Sequence, residues 1–109
     1  MYKYSVLAKR KQGIIRWCHD CKTYNLAYHN ICLNFNATGF EKFKESMEAC
    51  YEENIKRTNR RNCKDIFIET SLEGLQLLFS TNEIGELLSM LQEASLAAYL
   101  PENSDHSNR

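Results

Sequence analysis

Two cysteines separated by two residues form the part of this sequence whose residue types and spacing best suit chemistry. They belong to the segment Cys18-His19-Asp20-Cys21. A C-x-x-C pair at a turn can supply two of the four ligands of a tetrahedral zinc site. The sequence contains no second C-x-x-C pair, so the ligand set is incomplete. Cys18 and Cys21 are therefore the candidate metal ligands, and zinc is the candidate cofactor.

The same pair suggests a second chemistry, thiol redox catalysis. A redox-active pair usually has an acidic thiol because it lies at the start of a helix, where the dipole and free N–H groups favour the thiolate. Here the pair joins two predicted strands. The other cysteines are Cys32, Cys50 and Cys63, which makes five in total at irregular spacing. A disulfide framework is not expected from this pattern, and inert reduced thiols are the third alternative.

A run of basic residues follows the first predicted helix and is the candidate for phosphate binding. Glutamates on that helix offer these residues local partners, and no aromatic residue for base stacking interrupts the run. The fourteen basic residues of the chain also match its fourteen acidic residues, so no overall field attracts nucleic acid. Nucleic-acid binding is therefore an alternative function, for which the candidate residues are Lys56, Arg57, Arg60, Arg61 and Lys64.

The elements that position these residues follow from an apolar pattern that occurs twice, 44 positions apart. In each copy three apolar residues alternate, as in a half-buried strand, and three more follow at helical spacing. The first set is Ile31, Leu33, Phe35, Phe40, Phe43 and Met47, and the second is Leu75, Leu77, Phe79, Ile84, Leu87 and Leu91. Another strand candidate precedes each copy. The pattern predicts two β-β-α units related by an internal repeat.

Turn and cap residues occupy equivalent places in the two units. Asn36 and Ser80 are predicted N-caps, and Ser80 with Glu83 forms a capping box. Asn30 and Gly74 are predicted to take the left-handed conformation of a tight turn. The helices are expected at residues 38–56 and 81–98. An N-terminal hairpin is expected within residues 2–17, around a basic turn.

We therefore predict an α+β fold in which two pseudo-repeated β-β-α units form one antiparallel sheet, with both helices on one face and the N-terminal hairpin extending the sheet. Residues 1–101 are expected to form a single domain and residues 102–109 a disordered tail. The chain has no apolar run long enough for a membrane span, and the N-terminus lacks the charge pattern of a signal peptide. We expect a cytoplasmic protein.

Several motifs between Trp17 and Ala94 carry a family resemblance. They are C-x-x-C-x-x-Y-x-L, HNICLNF, YEENIKRTNRRN and GLQLLF, the last followed by ELLSMLQEA. With these motifs the chain resembles a family of small bacterial proteins classed as a domain of unknown function. The resemblance implies a bacterial, cytoplasmic origin and assigns no catalytic residue.

The leading hypothesis from the sequence is a noncatalytic protein-interaction module, because the sequence contains no phosphate-binding glycine loop, nucleophile elbow or H-E-x-x-H motif. Its partner is expected to be another protein or a second copy, bound at an open sheet edge or at the sheet face opposite the helices. The alternatives are a zinc-stabilised nucleic-acid-binding domain and a small thiol redox protein, both using Cys18 and Cys21.

Overall fold

The computed structural model describes residues 3–56 and 61–98. The predicted tail at 102–109 therefore lies outside the described residues. The elements in chain order are β1 (Tyr4–Arg10), β2 (Gly13–Cys18), β3 (Thr23–Tyr28), β4 (Ile31–Phe35), α1 (Ala37–Asn54), β5 (Ile66–Glu69), β6 (Gln76–Phe79) and α2 (Thr81–Ala98). The α+β class is confirmed, and the helices agree with the predicted ranges to within two residues.

The first four strands form an antiparallel sheet in the order β1-β2-β3-β4. The N-terminal hairpin extends this sheet as predicted, with a bulge in β1 between Val6 and Ala8. Strands β5 and β6 form a separate two-stranded antiparallel sheet. The prediction of one shared sheet is therefore wrong, because β5 and β6 pair only with each other in the part of the chain that the structure describes.

Both helices pack on one face of the four-stranded sheet and against each other. Helix α2 lies mainly over β1 and β2, and α1 lies over β3 and β4. At the centre of this layer, Ile15 and Leu26 of the sheet are fully buried with Phe40 and Met47 of α1 and Leu87 of α2. Burial of this apolar surface is the main source of stability for the fold.

The predicted caps are confirmed at both helices. The Asn36 side chain accepts a hydrogen bond from the Gly39 N–H at 2.7 Å. At α2 the Ser80 N–H donates to Glu83 Oε1 at 2.8 Å, and the Glu83 N–H donates to Ser80 Oγ at 3.1 Å. This reciprocal pair satisfies N–H groups that have no partner within the helix.

One turn residue and one core residue differ from the prediction. Gly74 has the expected positive φ, at 85°, but in the β3–β4 turn the left-handed residue is His29, with a φ of 52°, and not Asn30. Leu75 is half exposed because it precedes β6, whereas Leu77 and Phe79 alternate into the core as predicted. The other apolar residues of the two patterns are buried or partly buried.

Candidate functional site

The predicted metal ligands Cys18 and Cys21 lie at the turn between β2 and β3. The backbone N–H of Cys21 donates to Cys18 Sγ at 3.2 Å, and the N–H of Lys22 donates to the Cys18 carbonyl at 2.9 Å. Lys22 has a left-handed conformation, with a φ of 58°. The turn thus brings the two cysteines together, with Cys18 buried and Cys21 exposed.

This turn is held against the start of β1. The His19 N–H donates to the Lys3 carbonyl at 2.9 Å, and the Lys3 N–H donates to Asp20 Oδ2 at 3.1 Å. A third hydrogen bond joins Ser5 Oγ and His19 Nε2 at 2.7 Å. Because these contacts involve both residues between the cysteines, the turn is fixed by the rest of the fold.

The protonation state of the thiols affects both metal binding and redox catalysis. The pKa of the Cys21 thiol is raised, first by its hydrogen bond with Cys18, then by burial and by the negative charges that Cys18 and Asp20 can carry. A raised pKa keeps this thiol protonated near neutral pH, the opposite of what a redox-active cysteine needs. Nor does a helix begin at the turn. These observations argue against the redox alternative.

A complete metal site is not found within residues 3–56 and 61–98, where no group of three or more His, Cys, Asp or Glu side chains is placed to hold an ion. Cys32 lies on β4, Cys50 on α1 and Cys63 in the segment before β5. The fold therefore adds no further ligand from these cysteines. Metal binding by Cys18 and Cys21 stays a prediction.

The described members of the basic loop have different surroundings, while Arg57 and Arg60 lie outside the described residues. Lys56 is exposed. Arg61 is only partly exposed, and its Nη2 donates to the Ile55 carbonyl at 2.9 Å, at the end of α1. Lys64 Nζ lies 3.1 Å from Glu83 Oε2. Arg61 and Lys64 thus join elements of the fold, and nucleic-acid binding by this loop stays a prediction.

A polar cleft that the sequence did not predict lies where the β3–β4 turn meets the start of α2. Its volume is about 450 Å³. His29 Nε2 lies 3.3 Å from Glu83 Oε2, and the buried Tyr28 hydroxyl donates to Glu86 Oε1 at 2.6 Å. The residues that line the cleft are Gln12, Tyr28, His29, Asn62, Lys64, Ser80, Asn82, Glu83 and Glu86.

Electrostatics in this cleft centre on Glu83. Partial burial by itself raises the pKa of its carboxyl, but the Ser80 N–H, Lys64 and His29 together outweigh this effect and lower the pKa below its usual range. The pKa of Tyr28 is raised, mainly by burial and then by its hydrogen bond to Glu86. The cleft thus holds an ionised Glu83 and a protonated Tyr28 near neutral pH.

These contacts show that the residues lining the cleft join separate elements of the fold. Glu83 caps α2 and ties Lys64 and His29 to it, while the Ser80 hydroxyl accepts the Glu83 N–H and so is occupied as a cap. The capping box was visible in the sequence, but the partners of Glu83 were not, because they are distant along the chain.

The sheet face opposite the helices carries a network of polar side chains across β2, β3 and β4. Arg16 Nη2 donates to Asn25 Oδ1 at 2.8 Å, and Asn25 Nδ2 donates to Asn34 Oδ1 at 2.8 Å. The Arg16 guanidinium also stacks on the Tyr4 ring, 3.9 Å from its centroid. Since these groups satisfy one another, this face is not the apolar surface that a protein partner would most readily cover.

The β5–β6 hairpin, by contrast, exposes apolar side chains. The pairs Ile66–Phe79 and Ile68–Leu77 face the core, whereas Phe67 and Leu78 form a cross-strand pair on the outer side. Phe67 is 62% exposed and Leu78 41%, and the connecting loop adds Leu72 at 63% and Leu75 at 49%. We call these four residues the apolar hairpin surface. In the described chain no third strand covers either edge of this hairpin.

Together these features define an α+β protein with a helix-covered antiparallel sheet. A hydrogen-bonded cysteine turn lies at the start of β3, and an apolar hairpin lies near the end of β3. The chain belongs to the Family of unknown function (DUF6686), whose model matches residues 1–104. The expected membership of a family of unknown function is thereby confirmed. No curated protein and no solved structure matches the chain significantly. No helix among the described residues could span a membrane.

Proposed function

We propose that this protein is a noncatalytic protein-interaction module and that the apolar hairpin surface is its docking site. The observation that carries the proposal is the exposure of Phe67, Leu72, Leu75 and Leu78 on one small hairpin. Scattered exposed apolar residues are ordinary, but four on a single hairpin form a cluster, and such clusters mark interaction sites.

The hairpin also offers backbone groups to a partner. A two-stranded sheet has two edges with unpaired N–H and C=O groups, and isolated two-stranded sheets are only marginally stable. An extended segment of a partner protein could add to β5 or β6 as a third strand, while its apolar side chains cover Phe67 and Leu78. The partner we propose is therefore a protein segment in β conformation with apolar residues on one face.

We also propose the following features, which were predicted from the sequence. We retain the internal repeat of β3-β4-α1 and β5-β6-α2, supported by the equal length of the helices, 18 residues each. We also retain a single domain over residues 1–101 and a bacterial, cytoplasmic origin. A zinc-stabilised nucleic-acid binder ranks second, supported by the C-x-x-C turn and by the exposed Lys56. The thiol redox protein ranks last because the pKa of Cys21 is raised.

Affinity capture from the native host, comparing three forms of the protein, tests the proposal. Phe67→Ser/Leu78→Ser alters the apolar hairpin surface, and Leu96→Ser alters an equally apolar residue on α2 that is 70% exposed. We expect a protein partner to be retained by the wild type and by Leu96→Ser, and lost by the double variant. Chemical crosslinking then identifies the segment of the partner that contacts the hairpin. A synthetic peptide with the sequence of that segment should bind the wild type directly.

Two controls make the result decisive. Circular dichroism should show that both variants fold, because substitutions at exposed positions usually change stability by only about 0.5 kcal/mol. Equal partner retention by the double variant and the wild type would refute docking at the hairpin. Loss of every partner after nuclease treatment would instead favour the nucleic-acid alternative.

A further inference from the structure

The turn between β2 and β3 is arranged like one half of a metal site. The Cys21 N–H points at Cys18 Sγ, 3.2 Å away, and a hydrogen bond to a sulfur ligand stabilises the negative charge that the sulfur carries when it binds a metal. Lys22 then reverses the chain with a left-handed φ of 58°, a conformation that is unfavourable for a lysine. Such local strain persists only where the surrounding structure enforces it.

This half site provides two metal ligands, Cys18 and Cys21. Both cysteines lie at the same turn, where the backbone N–H of Cys21 donates to Cys18 Sγ. Structural zinc needs four ligands in a tetrahedron, and the described chain contains no cluster that provides the missing two. The remaining ligands must therefore come from outside the described part of this chain.

We propose that Cys18 and Cys21 form half of a Zn²⁺ site and that a second copy of this chain provides the other half. In this arrangement the β2–β3 turns of two chains meet on a twofold axis, and each chain contributes the same pair of thiolates. A twofold interface is self-complementary, so an incomplete pair of ligands on one chain becomes a complete set of four.

The exposure of Cys21 and the charges near the turn agree with this arrangement. Cys21 is exposed, whereas Cys18 is only 1% exposed, so binding a shared metal requires the turn to uncover Cys18 Sγ. On binding, four thiols release four protons to solvent and form four Zn–S bonds, which leaves a cluster with a net charge of −2. Lys3 and Lys22 flank the turn, and the two chains together bring four such cations against two Asp20 carboxylates. These lysines favour the anionic cluster.

This site is separate from the apolar hairpin surface. The cysteine turn lies at the start of β3, whereas the β5–β6 hairpin lies near the end of β3, where Tyr28 packs near Phe79 with ring centroids 6.2 Å apart. Metal-linked pairing therefore does not depend on the proposed docking at the hairpin, and each can fail without the other.

Titration of the reduced, metal-free protein with Zn²⁺, followed by mass measurement in solution, tests the inference. We expect one Zn²⁺ per two chains and a doubling of the mass from 12.8 kDa, both reversed by a chelator. Co²⁺ should give the visible absorption bands of tetrahedral thiolate coordination. Phe67→Ser/Leu78→Ser should behave like the wild type in this assay.

Cysteine variants locate the site. Cys18→Ser and Cys21→Ser should abolish both metal binding and pairing, whereas Cys63→Ser, which alters another exposed cysteine, should leave both unchanged. Cys21→Ser is the sharper test because its side chain is exposed and its loss should not disturb folding. Absence of metal binding, one metal per unpaired chain, or pairing that persists without metal would each overturn the inference.

Discussion

Glu83 is the residue whose replacement tests the electrostatic description of this fold most directly. Its carboxylate accepts the Ser80 N–H at 2.8 Å, lies 3.1 Å from Lys64 Nζ and lies 3.3 Å from His29 Nε2. We expect Glu83→Ala to lower the free energy of unfolding by about 1.5 kcal/mol near neutral pH. About 1 kcal/mol of this comes from the lost cap. About 0.5 kcal/mol comes from the ion pair with Lys64, whose side chain is 57% exposed and therefore well screened.

The contribution of Glu83 to the free energy of unfolding should decrease as the pH falls. Because the pKa of Glu83 is lower in the folded protein than in the unfolded chain, its ionisation stabilises the fold. This contribution is fully present above the usual glutamate value of 4.5 and is lost as the pH falls through the lower folded-state pKa. The difference between wild type and Glu83→Ala should therefore shrink in acid.

Urea denaturation at about pH 7 and about pH 3 measures both parts of the prediction. Glu83→Gln keeps an oxygen for the Ser80 N–H but removes the charge, so its loss at neutral pH should be smaller than that of Glu83→Ala. Glu73→Ala, at an exposed loop position, is the matched control and should change stability little. A difference between wild type and Glu83→Ala that is the same at both pH values would refute the reasoning.

Three further substitutions test packing and buried polar groups. Gly13→Ala should destabilise the protein by about 1–3 kcal/mol in urea denaturation, because a Cβ there would lie 2.7 Å from the Ala27 carbonyl oxygen and 2.9 Å from the Tyr28 ring. Tyr28→Phe should cost about 1–2 kcal/mol by the same assay, since it removes the donor to Glu86. A spectroscopic titration should also show that Tyr28 stays protonated where ordinary tyrosines ionise, because its pKa is raised. Thr81→Val should raise the melting temperature, because Thr81 Oγ1 is buried with no hydrogen-bond partner among the described residues.

Local features of this fold were visible in the sequence because short-range physics determines them. Asn36, Ser80 and Glu83 satisfy N–H groups three residues away, so their side-chain types alone located both helix starts. The alternation of Leu77 and Phe79 likewise identified the buried face of β6. Each of these inferences depends on a spacing of two to four residues.

Long-range features were not predictable in the same way. Whether β5 and β6 join the larger sheet depends on how the hairpin packs, and apolar alternation is the same in either case. Lys64 appeared to belong to a phosphate-binding loop because its partner, Glu83, is 19 positions away. In the β3–β4 turn, the side-chain types of His29 and Asn30 favoured Asn30 as the left-handed residue, but the strand register placed His29 there, where its N–H donates to the Gln12 carbonyl at 2.9 Å.

The placement of the cysteine turn and the β5–β6 hairpin at opposite ends of β3 has a consequence for valency. Two chains joined through their turns would carry their hairpins on the outer ends, pointing away from the junction. Such a bivalent particle could hold two copies of a target at once, and simultaneous engagement can strengthen apparent affinity by about 10²–10⁴-fold over a single contact. The supply of metal would then regulate avidity without altering either hairpin.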